Sequence, residues 1–131
     1  MKNLIILFLL FSNLLIAQEH IFVKPDKKPK CAIMKNGTFS SINYTFKQYH
    51  MIVKNGIQTE YLENGQYVMS KMEFLNDCEY KATVLKVTIP NYFVKPGDHI
   101  TTKILQTQDS YIKVKSVYLG KEFEFVFIKM E

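Results

Sequence analysis

Three histidines, two cysteines and twelve acidic residues are the side chains of this chain with chemistry beyond packing, and their spacing decides its kind. His20 lies near the N-terminus, His50 opens a strand-like run, and His99 follows Asp98 after a turn. Neighbouring residues of an extended chain point to opposite faces, so His99 and Asp98 do not make an acid–base dyad. Ser40, Ser41, Ser70, Ser110 and Ser116 lack the Gly-x-Ser-x-Gly turn that presents a nucleophile. Glu60, Glu73 and Glu79 fall on strand-like runs, where acids are expected to face solvent. The five glycines stand in turn contexts, so none builds a phosphate loop. Zinc-ligand spacing is absent. The residues therefore predict no enzyme: no catalytic residue, no metal site and no cofactor.

The cysteines are read with the N-terminus. Lys2 and Asn3 precede an apolar run, Leu4 to Ile16, broken only by Ser12 and Asn13; Ala17 then offers a small residue for cleavage. That is the layout of a secretory signal peptide over residues 1–17. The run falls short of the about 20 apolar residues that span a bilayer, so no membrane span is expected after cleavage. A retained anchor is the alternative. The predicted address is periplasmic or extracellular. In such an oxidising compartment Cys31 and Cys78 are expected to bridge, two buried free thiols being the other reading. The loop they would close is worth roughly 4 kcal/mol in the loop-entropy view.

All 17 basic residues are lysine, and the formal net charge is +5. Nucleic-acid readers rely on the planar fork of arginine, so nucleic acid is not an expected partner. Residues 18–30 read as a flexible Lys/Pro-rich arm: Lys24 to Lys30 hold four lysines and two prolines. The arm is either a plain linker or a basic patch for an acidic surface.

Residues 31–131 must then supply a single domain. Thr38 to Phe46 is rich in β-branched and aromatic residues. Tyr49 to Lys54 and Ile57 to Leu62 flank Asn55-Gly56, the strongest short hairpin signal. Gln66 to Leu75 follows a turn at Glu63-Asn64-Gly65, and Asn76-Asp77 is expected to turn the chain into Cys78 to Ile89. There Cys78, Tyr80, Ala82 and Val84 alternate with polar residues; the apolar phase slips near Leu85, which signals a bulge. Ile100 to Leu105, Tyr111 to Tyr118 and a last run carrying Phe123, Phe125 and Phe127 complete eight strands joined by short turns. A meander of eight can close and remove its unpaired edges. The predicted fold is all-β: a small eight-stranded antiparallel up-and-down barrel, preferred over an open sandwich.

Gly37-Thr38-Phe39 resembles the G-x-W opening of lipocalin-type barrels, with Phe39 in the tryptophan's place. Cys31 to Phe39 (CAIMKNGTF), Ile57 to Tyr61 (IQTEY) and Phe74 to Tyr80 (FLNDCEY) are together similar to a group of short exported, lipocalin-like proteins of Bacteroidetes-type bacteria. In that group a cysteine precedes G-x-F and a second sits in W-x-x-D-C-x-Y; here Phe74 stands for the tryptophan. The resemblance implies fold and compartment, and carries no activity.

Barrels of eight strands are either filled by side chains or hold one small ligand. Phe39, Tyr44, Tyr61, Phe74, Tyr80, Tyr118, Phe123, Phe125 and Phe127 are the candidates to line such a cavity, and simple core packing is the competing role. The expected partner is a small apolar ligand or, if the interior is solid, another envelope protein.

Overall fold

A computed structural model of the chain describes residues 21–131. The leader read at residues 1–17 and His20 lie outside the described residues. A 3-10 turn at Cys31–Met34 precedes eight strands: β1 (Gly37–Ser41), β2 (Tyr49–Lys54), β3 (Ile57–Leu62), β4 (Tyr67–Asn76), β5 (Glu79–Val87), β6 (His99–Gln108), β7 (Tyr111–Tyr118) and β8 (Lys121–Lys129). Each pairs antiparallel with the next, and β1 pairs with β8, so the meander closes into a barrel. Closure leaves no edge strand to template aggregation. No helix among the described residues is long and apolar enough to cross a membrane.

Turn chemistry explains why the strands run this way. Asn55 and Gly56 adopt φ of 53° and 75°, the left-handed pair a two-residue hairpin needs. Gly37 has another reason to be glycine. A Cβ there would run into the Glu131 carbonyl and the Lys129 side chain, where the chain end crosses the start of β1. The slip expected near Leu85 is present: Met69 opposes Lys86 and Ser70 opposes Val84, so Leu85 has no partner.

Two boundaries differ from the sequence reading. β1 stops at Ser41, not Phe46. Beyond it, Asn43 N–H donates to Ser41 Oγ, while the Thr45 and Gln48 side chains each accept from the other's backbone N–H. These local bonds offer the backbone an alternative to the ladder. The β4–β5 turn sits at Asp77-Cys78, one residue late, because Leu75 bulges out and Asn76 still pairs with Glu79. Asn76 Oδ1 then accepts from Cys78 N–H at 3.0 Å.

The ends of the barrel are built differently. At one end the 3-10 turn forms a plug. Cys31 and Cys78 have sulfurs at bonding distance, 2.05 Å, which ties the plug to the β4–β5 turn. Met34 and Phe39 are fully buried beneath it with Ile112 and Val114. Lys129 Nζ donates to the Ile33 carbonyl at 3.0 Å, fastening β8 to the plug. The Lys24 to Lys30 segment is docked along the end of β6: Asp26 N–H donates to the Thr107 carbonyl at 2.8 Å, and Lys30 N–H to Thr107 Oγ1 at 2.9 Å. At the opposite end lie the longer loops. Residues 88–98 fold inward there, and Ile89 and Val94 pack against Val68 and Val84.

Candidate functional site

The Asn55-Gly56 turn sets the register of β2 and β3: Val53 opposes Gln58, Met51 opposes Glu60 and Tyr49 opposes Leu62. Directly opposed residues share a face of the sheet. Met51 and Val53 are core residues, so Gln58, Glu60 and Leu62 also point into the barrel. Across β3 and β4, Ser70 opposes Gln58 and Val68 opposes Glu60. Glu60 is thus an interior carboxylate. The expectation that it faces solvent is corrected, because the pleat of β3 is fixed by the apolar face of β2.

Two neutral donors hold Glu60. Tyr49 Oη donates a short hydrogen bond to Oε2, and Gln58 Nε2 donates to Oε1 at 3.2 Å. Among the described residues no lysine or histidine pairs with it: the three ion pairs are Lys71–Glu73, Lys113–Glu124 and Lys115–Glu122, all elsewhere. Burial pushes its pKa up, and the Tyr49 and Gln58 hydrogen bonds pull it partly back. Tyr49 is held well above the usual phenol value by burial first and by Glu60 second. Burial likewise raises Tyr80 and Tyr92, and the Glu60 charge adds to both. The Tyr44 ring packs 6.4 Å from that of Tyr49. Tyr49, Tyr80 and Tyr92 therefore each feel the one carboxylate. Farther round the wall, Thr102 and Ser116 hydroxyls bond each other at 2.8 Å.

Glu60 faces inward and keeps part of its surface accessible to solvent, as do the inward-facing Tyr49 and Leu62. At the plug end Phe39 and Ile112 are 0% exposed, while Phe74 and Phe125 are partly exposed at the margin of the same cluster.

The residues picked as cavity lining scatter over this plan. Phe39 and Phe127 meet edge to face at 6.5 Å in the plugged core. Phe74 and Tyr80 oppose each other across β4 and β5 with rings 5.3 Å apart, and Phe74 leans toward the plug under Lys35. Phe123 and Phe125 face inward on β8, half-buried, with Phe125 stacked on Phe127 at 6.1 Å. Tyr118, at the loop end, donates to the Phe93 carbonyl at 3.2 Å and to Asp98 Oδ2 at 2.7 Å. Tyr44 packs beside Tyr49, and Tyr80 is buried in the plug-end core. Tyr61 is a correction: it opposes His50 and Tyr67 on the outer face, one residue out of phase with Glu60. Its ring lies in an external column, Phe46 on His50 at 4.2 Å, His50 on Tyr61 at 5.0 Å and Tyr61 near Tyr67 at 5.9 Å.

Tyr49, Gln58, Glu60 and Tyr92 are the functional candidates that motif reading misses. The first three were within reach. An Asn-Gly hairpin fixes register, and register with Met51 and Val53 inward places Gln58 and Glu60 inside. Tyr92 carries no such signal, because it sits in an aperiodic loop. No group of three or more histidine, cysteine, aspartate or glutamate side chains converges among the described residues. No protein-family model, curated protein or solved structure matches this chain.

Proposed function

We propose that this is an exported, lipocalin-like binding protein whose loop-end recess takes a small amphipathic molecule. The observation that carries the reading is the contrast inside one barrel. Glu60 and Tyr49 are inward yet partly accessible, while Phe39 and Ile112 at the plug end are 0% exposed. Recesses with an apolar lining and a few convergent polar groups suit small molecules. The apolar ligand expected from sequence becomes an amphipathic one, since a polar group could use the acceptor sites of Glu60 that Tyr49 and Gln58 leave free. Binding is favoured over catalysis because both oxygens of Glu60 already accept from Tyr49 and Gln58, and the titratable groups that bear on it among the described residues are tyrosines kept neutral by burial. Export is supported by the leader pattern and by the Cys31–Cys78 pair.

The rival reading, a surface that meets another envelope protein, would use the outer aromatic column or the exposed lysines of the docked arm. The rings of that column already stack on one another, which supplies a reason for them within the sheet. A panel of small amphiphiles tested on the disulfide-bonded protein by methyl NMR checks the proposal. Binders should move Leu62 and Met51 resonances and raise the melting temperature; a ligand present at about 100 times its Kd adds ~2.7 kcal/mol. Shifts confined to the outer face, with no interior resonance moved by any compound, would overturn it.

A further inference from the structure

We infer that the plugged end of the barrel docks onto a bilayer surface carrying anionic phospholipid headgroups, with the loop end facing away. The inference stands apart from ligand binding at the loop end and uses none of its residues. Four observations lead to it.

The first is that the Lys24 to Lys30 segment is a fixed ribbon and not a loose tether. Lys24 N–H donates to Gln108 Oε1 at 2.9 Å, Asp26 N–H to the Thr107 carbonyl at 2.8 Å and Lys30 N–H to Thr107 Oγ1 at 2.9 Å. Backbone groups make these bonds, so Lys24, Lys27, Lys28 and Lys30 keep their side chains exposed. The one acid of the segment is turned the other way: the hydroxyl of the fully buried Thr107 donates to Asp26 Oδ2 at 2.6 Å. The nearest carboxylate therefore holds the ribbon down and does not screen its lysines.

The second is the charge imbalance of this end. Lys35, which follows the 3-10 turn, and Lys54, at the β2–β3 turn, are exposed beside the ribbon's four lysines. The exposed acids at the same end are Asp77, Asp109 and Glu131, half as many. The three ion pairs among the described residues use none of these lysines. At the loop end Lys47, Lys86, Lys95 and Lys121 are nearly matched by Glu63, Asp98 and Glu122. Crowded like charges repel one another, and an anionic surface relieves that repulsion.

The third is apolar surface among the lysines. Val23 precedes the ribbon, Leu75 is pushed out of the ladder by the bulge in β4, and Met130 follows β8. Each keeps more than half of its surface exposed. Basic and apolar groups side by side are what interfacial binders present: lysines meet the headgroups while apolar side chains sink between them. The loop end also exposes Phe46 and Leu119, but without the excess of lysine. The fourth is shape and ion type. The β2–β3, β4–β5 and β6–β7 turns and the end of β8 all project from this end, so a flat surface meets them together. Lysine is a compact point charge suited to a diffuse layer of headgroups, and the arginine fork that grips single phosphates is absent from the chain. A soluble polyanion would engage the lysines and leave the apolar groups in water.

Sedimentation of the disulfide-bonded protein with vesicles tests this, using phosphatidylcholine alone, phosphatidylcholine mixed with phosphatidylglycerol, and soluble alginate as a competitor. The protein should bind the mixed vesicles, not the neutral ones, and come off in about 0.5 M salt, where screening acts within roughly 4 Å. Replacing Lys24, Lys27, Lys28 and Lys30 by glutamine should weaken binding about a hundredfold or more, at about fivefold per lysine. Its melting temperature should match the parent's, because backbone groups hold the ribbon; single replacements, at about fivefold each, serve if the combined variant does not fold. Val23→Ser and Leu75→Ser should each weaken binding about threefold. Lys95→Gln and Leu119→Asn at the loop end should stay within about twofold of the parent. All variants share the parent's N-terminus, so any contribution from residues before Val23 cancels. Equal binding to both kinds of vesicle, parent-like binding by the four-lysine variant, or an equal loss from the loop-end variants would overturn the docking surface. So would tighter binding to alginate than to mixed vesicles, which would make the ribbon a site for a soluble polyanion. Failure to sediment with any vesicle overturns it too and leaves the small-molecule reading standing.

Discussion

The two ends of this barrel solve opposite problems with the same strands. At the plugged end, most inward positions are apolar, with Thr107 and Gln58 buried among them, and the 3-10 turn is covalently and electrostatically fastened: Cys31 to Cys78, and Lys129 to the Ile33 carbonyl. At the loop end, the inward positions of β2 and β3 include Tyr49 and Glu60, and the closing loop is held without a covalent bond, by the packing of Ile89 and Val94 and by hydrogen bonds from Tyr118 to Asp98 and to the Phe93 carbonyl. Left-handed turn positions occur at both ends, Asn55, Gly56 and Asp109 at the plug end and Gly65, Asn91, Gly97 and Gly120 at the loop end, all residue types that tolerate them; the exception is Leu119 at the loop end, with φ of 51° and 81% of its surface exposed. One end concentrates stability, and the other spends some of it on an interior polar group. Sites that bind often carry such local violations of folding rules.

The contrast can be broken most forcefully from the plug end. Cys78→Ser opens a loop spanning 47 residues of sequence separation, which should lower stability by roughly 4 kcal/mol in denaturant titrations. Matching unfolding curves for parent and variant under oxidising conditions would show that the bridge does not hold the plug.

Glu60→Gln acts on the other end with the opposite sign. Because the folded protein holds the Glu60 pKa above its ordinary value, the native state binds more protons than the unfolded chain in that window. The stability linked to this group is therefore full at low pH and is lost as pH rises through the folded pKa. The titratable groups that bear on Glu60 are Tyr49, Tyr80 and Tyr92, which stay neutral in that window. The glutamine variant should melt about 5 °C higher at neutral pH and no higher than the parent below pH ~4. A lower melting temperature at neutral pH would mean that the carboxylate is a stabilising element and not a functional compromise.

Leu119→Asn sharpens the comparison of strain. An asparagine relieves the left-handed penalty at an exposed turn, for a gain of about 1 kcal/mol seen as a melting shift of roughly 4 °C. An unchanged melting point would put the strain elsewhere. Tyr118→Phe removes the latch of the closing loop and should cost the smallest shift, about 2 °C. Asp98 keeps its carboxyl below the usual range chiefly through the Tyr118 hydroxyl, and Tyr118 in turn is pushed up to about 12 by Asp98. The latch therefore contributes above the ordinary carboxylate range and fades as pH falls through the lowered Asp98 value. Hydrogen exchange in residues 88–98 should rise in the variant, and rise in the parent on acidification; protection equal in both proteins at every pH would argue that Ile89 and Val94 alone hold the loop.

Eight alternating runs and their turns were legible in the linear order because they are local. Period-two alternation, Asn-Gly at a hairpin and a phase slip at Leu85 each need only a few neighbouring residues. The inner position of Glu60 was legible in principle, through the register of one hairpin, and was hidden by the habit of assigning acids to solvent. Tyr61 was misplaced for the complementary reason: aromatics were assigned to the interior by type, although its neighbour had already claimed that face.

Tertiary structure alone decided the rest. Ring closure of β1 onto β8 makes one face of every strand an interior, and no short-range pattern encodes that pairing. The long loop has no period to read, so only packing could bring Tyr92 within electrostatic reach of Glu60 and bury Ile89 and Val94. The plug depends on a bond between residues far apart in the chain. Alternation tells which side chains share a face; only the closed sheet tells what that face encloses.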